Sequence, residues 1–288
     1  MTDILSWNIQ NGRGLDGEVS LTRIADVIAT MGEPDVICLQ EVSRGLWLTP
    51  KAGAPDQVAE LADLFPAHEI VFGVAVDAGS PVAQNRWQFG NALLSRLPLL
   101  SLQSHPLPRP GAGGMRHMTR QATEVVVATA AGELRIVNLH LEYHSPAQRL
   151  AQVERLRALQ LEALEQRRQP SEVDSDGPYQ FVPRPVESVY CGDFNMVIGS
   201  REHRRLGDPL EGEPQPFRDA WELAHPHIPH APTCGVFDRV QWPEGPHCRD
   251  FFFVNGRCVD AVKNLRVDTE TDASDHQPLL LELADDPG

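Results

Sequence analysis

The hydrophobic and polar positions of this chain follow two periods in alternation. Apolar runs of about four to eight residues predict buried strands, and apolar residues spaced three and four apart predict helices. The predicted strands cover residues 4–9, 35–42, 69–76, 91–94, 123–129, 133–140, 189–191, 249–254 and 279–283. The predicted helices cover residues 20–31, 56–65, 146–168 and 217–223. At 288 residues, the chain is long enough for one large α/β domain or two small ones.

One segment, residues 169–186, follows neither period. It contains four prolines and several acidic residues. Such a composition cannot bury enough apolar surface to form an element of its own. We therefore predict a flexible, exposed loop here rather than a boundary between domains, so that residues 1–288 form a single domain.

Polar side chains stand at the ends of the predicted strands, where a buried run gives way to a loop. They are Asn8, Glu41, His140, Asp193, Asn195, Asp250 and His276. If same-side strand ends cluster, these side chains meet in one cleft. Carboxylates and carboxamides without thiolates favour Mg²⁺ or Mn²⁺ over Zn²⁺. Two histidines beside such an ion suit the stabilisation of a phosphate transition state.

Each of these residues also has an ordinary structural explanation. Asp193 and Asn195 would face the same side of an extended segment, but Gly192 and both of them are also common turn residues. A lone Asn8 is more often a turn former than a ligand, and a lone His140 is more often structural than catalytic. Their shared position at strand ends makes coincidence a poor account of all seven.

The net charge of −15 disfavours long nucleic acid as a partner, because an acidic surface repels the phosphate backbone. A local exception is the loop 105–118, where Arg109 and Arg116, with Arg120 beyond it, offer an anion-facing surface. No apolar run reaches the roughly 18 residues of a membrane helix. The first residues lack a basic segment, so we expect no signal peptide.

The five cysteines form an odd set without paired spacing. Cys38 and Cys191 lie in apolar strands, so we expect buried free thiols, no disulfide and a cytoplasmic location. Three histidines among prolines, His225, His227 and His230, lack the carboxylate or thiolate that would complete a zinc site. We expect no structural metal there.

Six motifs together resemble the endonuclease/exonuclease/phosphatase superfamily, whose fold is that of DNase I. They occur in the family's order and are residues 6–9 (SWNI), 39–41 (LQE), 90–96 (GNALLSR), 138–142 (NLHLE), 192–195 (GDFN) and 274–276 (SDH). The resemblance spans residues 4 to 283. It implies an α+β fold, a four-layer α/β/β/α sandwich of two mixed β-sheets flanked by helices, with the cleft at one end.

The resemblance also implies roles for individual residues. Glu41 would be the main ligand of Mg²⁺ or Mn²⁺, with Asn8 beside it and Asp275 nearby. Asp193 would orient or deprotonate the attacking water, Asn195 would hold a phosphate oxygen, and His140 would contact the phosphate from the other side. His276 would stabilise the transition state, oriented by Asp250. The family usually has an aliphatic residue where Arg249 precedes this aspartate. Asn91 follows the family pattern, where it would either contact the substrate or shape its loop. Arg120, from the cluster of arginines near the 105–118 loop, is a further candidate for a substrate contact.

Three classes of function remain compatible with these residues. The first is a monomeric, metal-dependent phosphodiesterase or phosphatase that hydrolyses a small or lipid-derived phosphoester, which the acidic charge favours. The second is a nuclease or nucleic-acid repair phosphodiesterase, for which Arg109, Arg116, Arg120, Arg201, Arg204 and Arg205 would need to converge at the cleft. The third is a catalytically inactive binding protein, which the intact set of catalytic residue types disfavours.

Overall fold

A computed structural model of the chain describes residues 1–46, 55–79, 86–174, 176–212 and 216–285. These ranges hold twelve strands and six helices. The strands are β1 (Thr2–Asn8), β2 (Val36–Arg44), β3 (Glu69–Gly79), β4 (Arg86–Ser95), β5 (Leu99–Pro106), β6 (Gln121–Thr129), β7 (Gly132–His140), β8 (Ser188–Asp193), β9 (Arg218–Asp219), β10 (Asp250–Val254), β11 (Val262–Val267) and β12 (Leu279–Leu283). The helices are α1 (Leu21–Met31), α2 (Gln57–Leu64), α3 (Pro146–Arg168), α4 (Arg201–Gly207), α5 (Ala220–Ala224) and α6 (Cys258–Ala261).

The described strands form two six-stranded mixed sheets. The first has the order β11-β12-β1-β2-β4-β3 and the second β5-β6-β7-β8-β10-β9. One parallel pair lies within each sheet, β1 with β2 and β7 with β8, and the other pairings are antiparallel. These are the two mixed sheets that the motifs predict.

Alternate residues of the central strands build separate layers of the core. In β1, Ile4 packs between the sheets, and the next residue, Leu5, packs outward among the residues of α1. In β8, Val189 packs between the sheets and Tyr190 packs outward against α3. Since successive strand side chains point to opposite faces, strands covered on both sides read as continuous apolar runs. The layers are therefore helix, sheet, sheet and helix.

Helix α3 begins and ends where the sequence predicts. The Ser145 side chain accepts a hydrogen bond from the backbone of Gln148, and Pro146 occupies the first turn, where its missing N–H leaves nothing unpaired. Arg167 and Arg168 stand in the last turn, where positive charge suits the helix dipole. After it, residues 169–186 contain one short 3-10 turn, Gly177–Tyr179, among their described residues.

Five elements were not predicted. Strand β9 lies within the segment 217–223 that was predicted to be helical, and helix α6 lies outside every predicted element. Strand β5 lies partly in the segment assigned to the 105–118 loop, helix α4 lies in a segment expected to be loop-rich, and strand β11 was not predicted at all. The five cysteines are buried and free, and burial was predicted for two of them, Cys38 and Cys191. None of the helices in the described ranges is long and apolar enough to cross a membrane.

Candidate active site

The two parallel strand pairs end at the same place. Asn8 closes β1, and Glu41 follows Gln40, the β2 residue paired with Asn8. His140 closes β7 opposite Asp193, which closes β8. Asp193 also pairs with Asp250, the first residue of the antiparallel strand β10. Pairing within each sheet and packing between sheets thus bring five predicted site residues to one end of the sandwich.

Gly192 is required for this arrangement. Its φ of +140° is in a region that other residues rarely adopt, and a Cβ there would lie 1.9 Å from the carbonyl oxygen of Leu139. The glycine therefore lets β8 approach β7 closely. Asp193 follows directly and lies beside His140.

Asp193 lies at the centre of the site. Its Oδ2 accepts a hydrogen bond of 3.0 Å from Asn8 Nδ2 and lies 3.3 Å from His140 Nε2. Its Oδ1 accepts a hydrogen bond of 2.8 Å from the backbone of Asn195. The carboxylate is thereby fixed in orientation, and burial raises its pKa above the ordinary value. A carboxylate with a raised pKa is a better proton acceptor at neutral pH.

His276 and Asp250 form a buried pair. His276 Nδ1 lies 2.8 Å from Asp250 Oδ2, which also accepts a 2.6 Å hydrogen bond from the Thr233 hydroxyl. Burial opposes the charged imidazole, but the carboxylates of Asp250, Asp193 and Asp275 outweigh it and raise the pKa of His276 well above its ordinary value. The three carboxylates therefore favour the protonated form of the ring. Arg249, which differs from the family pattern, leaves this pair intact.

The pKa of the second histidine, His140, is shifted in the opposite direction. Burial, together with the positive charges of Arg120 and His276, lowers the pKa of His140 well below its ordinary value. Its Nδ1 is buried without a hydrogen-bond partner. The Nε2 atoms of both imidazoles approach Asp193 Oδ2, at 3.3 Å for His140 and 3.8 Å for His276, while their pKa values are shifted in opposite directions.

Glu41 is held in an uncommon conformation. Its φ is +59°, at a register shift between β2 and β4. Such a conformation costs on the order of 1–3 kcal/mol and persists where the surroundings impose it. One carboxylate oxygen accepts a 3.2 Å hydrogen bond from Asn8 Nδ2. Burial and the negative charge of Asp275 raise the pKa of Glu41 to about 7.

Arg120 brings unpaired donors to the cavity. Its side chain is 6% exposed, and both Nε and Nη1 are buried without a hydrogen-bond partner. Glu142 Oε2 lies 3.5 Å from Nε, which is too far for a good hydrogen bond. Because buried donors are normally satisfied, these two are suited to an anionic oxygen of a ligand.

These side chains surround a cavity of about 410 Å³. Its lining residues are Glu41, Arg116, Arg120, His140, Tyr143, His144, Asp193, Asn195, Gln241, Trp242 and His276. Asn91 does not belong to this lining. It is buried in β4 opposite Gly73, and its contact with substrate stays a prediction. Arg109, from the predicted anion-facing loop, is also outside the lining.

Four lining residues were not predicted from the sequence: Tyr143, His144, Gln241 and Trp242. They lie in loops without hydrophobic period, and their only signal is that Tyr143 and His144 directly follow the NLHLE motif. Gln241 Nε2 and Trp242 Nε1 approach Asp275 Oδ2, at 2.8 Å and 3.4 Å. These two side chains therefore hold the carboxylate of Asp275 in place.

The model of the Endonuclease/Exonuclease/phosphatase family matches residues 5–276. The chain belongs to this family. The match covers nearly the whole chain and so includes both sheets and the site at the strand ends. A search of curated protein sequences finds none that matches the chain.

Solved structures of the family share its fold. A family protein from Beutenbergia cavernae is 22% identical with a TM-score of 0.68, and the match covers 98% of this chain and 72% of that one. A family protein from Bacteroides vulgatus is 18% identical with a TM-score of 0.66, covering 98% of both chains. A mannosyl-6-phosphatase from Bacteroides thetaiotaomicron is 16% identical with a TM-score of 0.65, covering 99% of this chain and 100% of that one.

Two sets of side chains could hold the divalent metal that the family implies. Asp193, Asp250 and His276 have ligand atoms within 4.8 Å of one another, but His276 Nδ1 and Asp250 Oδ2 already contact each other. Glu41 and Asp275 instead offer carboxylate oxygens, which Mg²⁺ and Mn²⁺ prefer. Asn8 adds an amide oxygen, Oδ1, which accepts a 3.1 Å hydrogen bond from the backbone of Gln10, while its Nδ2 faces Glu41. The negative charge of Asp275 contributes, after burial, to the raised pKa of Glu41, and a cation between the two carboxylates would relieve this repulsion. The second set fits a hard ion better.

Proposed function

We propose that this protein is a divalent-metal-dependent hydrolase of small phosphoesters. The observation that carries the proposal is the arrangement around Asp193: a fixed carboxylate, a charged His276, and the two unpaired donors of Arg120 at one cavity. A general base and positive charge on opposite sides of a phosphate are what attack by water requires.

Asp193 accepts the proton of the attacking water. The water oxygen bonds to phosphorus, the bond from phosphorus to the ester oxygen breaks, and the departing oxygen takes a proton from solvent. Asn8 and the Asn195 backbone hold the carboxylate in orientation for this step. The geometry of the base is therefore set before the substrate binds, which lowers the entropy cost of the reaction.

The phosphate is held by cationic and neutral donors. Arg120 binds a phosphate oxygen through its guanidinium, and His276 stabilises the charge that grows on the phosphate during attack. His140, which is neutral, contacts the phosphate from the other side, and Asn195 lies at the same cavity. Glu41, Asn8 and Asp275 would hold the divalent ion. When bound, that ion supplies further positive charge against the anionic phosphate.

The distribution of arginines supports a small substrate. Of the six arginines that a nucleic-acid track would use, Arg116 and Arg120 line the cavity. Arg205 instead pairs with Glu154 and Asp208, with contacts of 2.6 Å and 3.1 Å. A long polyanion gains affinity from many phosphate contacts, and two arginines at a narrow cavity suit a single phosphate group better.

The test is a substrate panel with sugar phosphates, nucleotides, phospholipids and DNA, assayed with Mg²⁺ or Mn²⁺ and with EDTA. We expect metal-dependent hydrolysis of a small phosphoester. Arg120→Gln should lower kcat/KM about ten- to a hundredfold, because a charged hydrogen bond is lost. Arg109→Gln makes the same charge change outside the cavity and should have little effect.

Two results would contradict the proposal. Faster hydrolysis of DNA than of every small ester, with a steep fall at higher salt, would identify a nuclease instead. No hydrolysis of any phosphoester by the folded protein with either metal would support a binding protein.

A further inference from the structure

The ring of Tyr143 forms an exposed wall of the catalytic cavity. It lies three residues after His140 in the loop that follows β7. The residue is 38% exposed, whereas Trp242, the other large aromatic residue of the lining, is 1% exposed. Most other lining side chains are charged or polar. Tyr143 therefore provides the accessible aromatic surface beside the phosphate position.

The ring is held from several sides. Trp242 contacts it edge to face, with ring centroids 5.8 Å apart, and His144 does so at 4.8 Å. The guanidinium of Arg249 lies 5.4 Å from the Tyr143 centroid and 4.9 Å from the Trp242 centroid. Arg249 thus covers one face of the ring, while the residue as a whole is 38% exposed and lines the cavity. Such aromatic and cation–π contacts fix orientation.

Arg249 is itself fixed in place. Its Nε donates a 2.7 Å hydrogen bond to His247 Nε2, while His247 Nδ1 donates one of 2.7 Å to the carbonyl of Gly245. Because a carbonyl only accepts, Nδ1 carries the proton and Nε2 is free to accept from Arg249. Glu244 lies 3.5 Å from Arg249 Nη2. Arg249 is therefore held by His247 on one side and lies near Glu244 on another.

We propose that Tyr143 is a substrate-binding residue that packs against a planar aromatic ring carried on the phosphate, with Arg249 as its positioning residue. This inference rests on the proposed function and specifies its substrate class as phosphoesters that bear such a ring. A rigid ring loses little conformational freedom on binding, so its packing energy is retained. The cation behind Tyr143 also draws electron density from the ring, which strengthens its packing against an electron-rich partner.

The test compares the binding of phenylphosphonate and methylphosphonate in the presence of Mn²⁺ by calorimetry. Their carbon–phosphorus bonds resist hydrolysis, so the measurement does not depend on turnover. The wild-type protein should bind phenylphosphonate about tenfold more tightly, in line with aromatic packing plus burial of the ring. Tyr143→Ala should reduce that ratio to about one, and Tyr143→Phe should retain it.

Two further variants complete the design. Arg249→Met restores an aliphatic residue and should give an intermediate ratio, because Tyr143 remains but is less well fixed. Tyr179→Ala removes a tyrosine that is 75% exposed outside the cavity, and it should keep the wild-type ratio. An unchanged ratio in Arg249→Met would remove the positioning role from Arg249.

The outcomes separate this inference from the proposed function. Equal metal-dependent binding of both phosphonates by the wild-type protein, or a ratio unaffected by Tyr143→Ala, would overturn the inference alone. Failure of the folded protein to bind either phosphonate, together with no hydrolysis in the substrate panel, would overturn both.

Discussion

Asn8 Nδ2 lies 3.0 Å from Asp193 Oδ2, although the two residues end strands of different sheets. The same amide nitrogen lies 3.2 Å from Glu41 Oε1. Asn8 therefore links the carboxylate proposed to bind metal with the carboxylate proposed to activate water. The geometry of the site depends on how the two sheets pack.

Asp193 and His276 should act in one chemical step. Asp193→Asn and His276→Ala should each lower kcat about 10²–10⁴-fold, because each removes a group that acts in the transition state. The double variant should lose much less than the product of the two single losses, as for residues that act as a unit. Steady-state kinetics on a substrate from the panel measures this. Fully multiplicative losses would show independent roles.

Glu41→Gln should weaken metal binding, because it removes a negative oxygen ligand while keeping the size of the side chain. The metal concentration needed for half-maximal activity should rise, and metal affinity measured by calorimetry should fall. Glu60→Gln, on the exposed surface of α2, makes the same change away from the site. Identical titrations for wild type and Glu41→Gln would exclude Glu41 as a ligand.

Gln241→Ala should also weaken metal binding, although Gln241 is not expected to touch the ion. It donates to Asp275 Oδ2 over 2.8 Å and so orients that carboxylate. Removing a residue that hydrogen-bonds to a metal ligand commonly lowers the metal affinity about 10–100-fold. Gln169→Ala, at an exposed glutamine after α3, is the matched control. If Gln241→Ala binds the metal as tightly as Gln169→Ala, Asp275 does not need the hydrogen bond from Gln241.

Glu124 should make stability depend on acid pH. Burial alone would raise its pKa, but hydrogen bonds from His105 and Arg184 and the charges of Arg135 and Arg184 lower the pKa from 4.5 to about 2. A lowered pKa contributes stability that is fully present above pH 4.5 and is lost as the pH falls toward 2, in total about 3 kcal/mol. Urea unfolding should show this loss, and Glu124→Gln should lose less over the same range. Parallel pH curves for the two proteins would assign the acid sensitivity to other carboxylates.

The thiols of Cys38 and Cys191 should resist labelling in the folded protein. Both are fully buried between the sheets, and burial raises the pKa of Cys38 well above its ordinary value. A thiol that is neither accessible nor ionised reacts slowly. Reaction with a chromogenic thiol reagent should require urea, which should expose all five cysteines. Rapid labelling of both cysteines in buffer would show that these strands are not buried between the sheets.

The central strands could be predicted from the sequence because they are covered on both faces. Residues such as Ile37, Cys38 and Leu39 are fully buried, so each contributes to an uninterrupted apolar run. The strands β5 and β11 are at sheet edges instead. In β5, Leu100 and Leu102 are 40% and 53% exposed, so apolar residues there do not mark a buried face. Edge strands therefore give a weak pattern.

The residues of the site also fall into two groups, those that could be predicted from the sequence and those that could not. Asn8, Glu41, His140 and Asp193 could be predicted because strand ends fix their positions and short motifs mark them. Tyr143 and Trp242 could not, because their contact joins loops that are about a hundred residues apart in sequence. Asn91 carried a motif signal and is buried in β4 outside the residues that line the cavity, so its role stays a prediction.

A buried amide pair beneath the site has a consequence for how the protein loses activity. Gln40 Nε2 donates a 2.8 Å hydrogen bond to Asn138 Oδ1, and Asn138 donates to the carbonyl of Ala92 over 2.9 Å, so one residue of the second sheet holds two strands of the first. A slide of one sheet by a single residue, about 3.3 Å, would break these bonds and separate Asn8 from Asp193. Turnover therefore reports the alignment of the two halves of the sandwich. In rising urea, inactivation should precede the loss of secondary structure, since loosened packing between the sheets leaves each sheet's own hydrogen bonds in place.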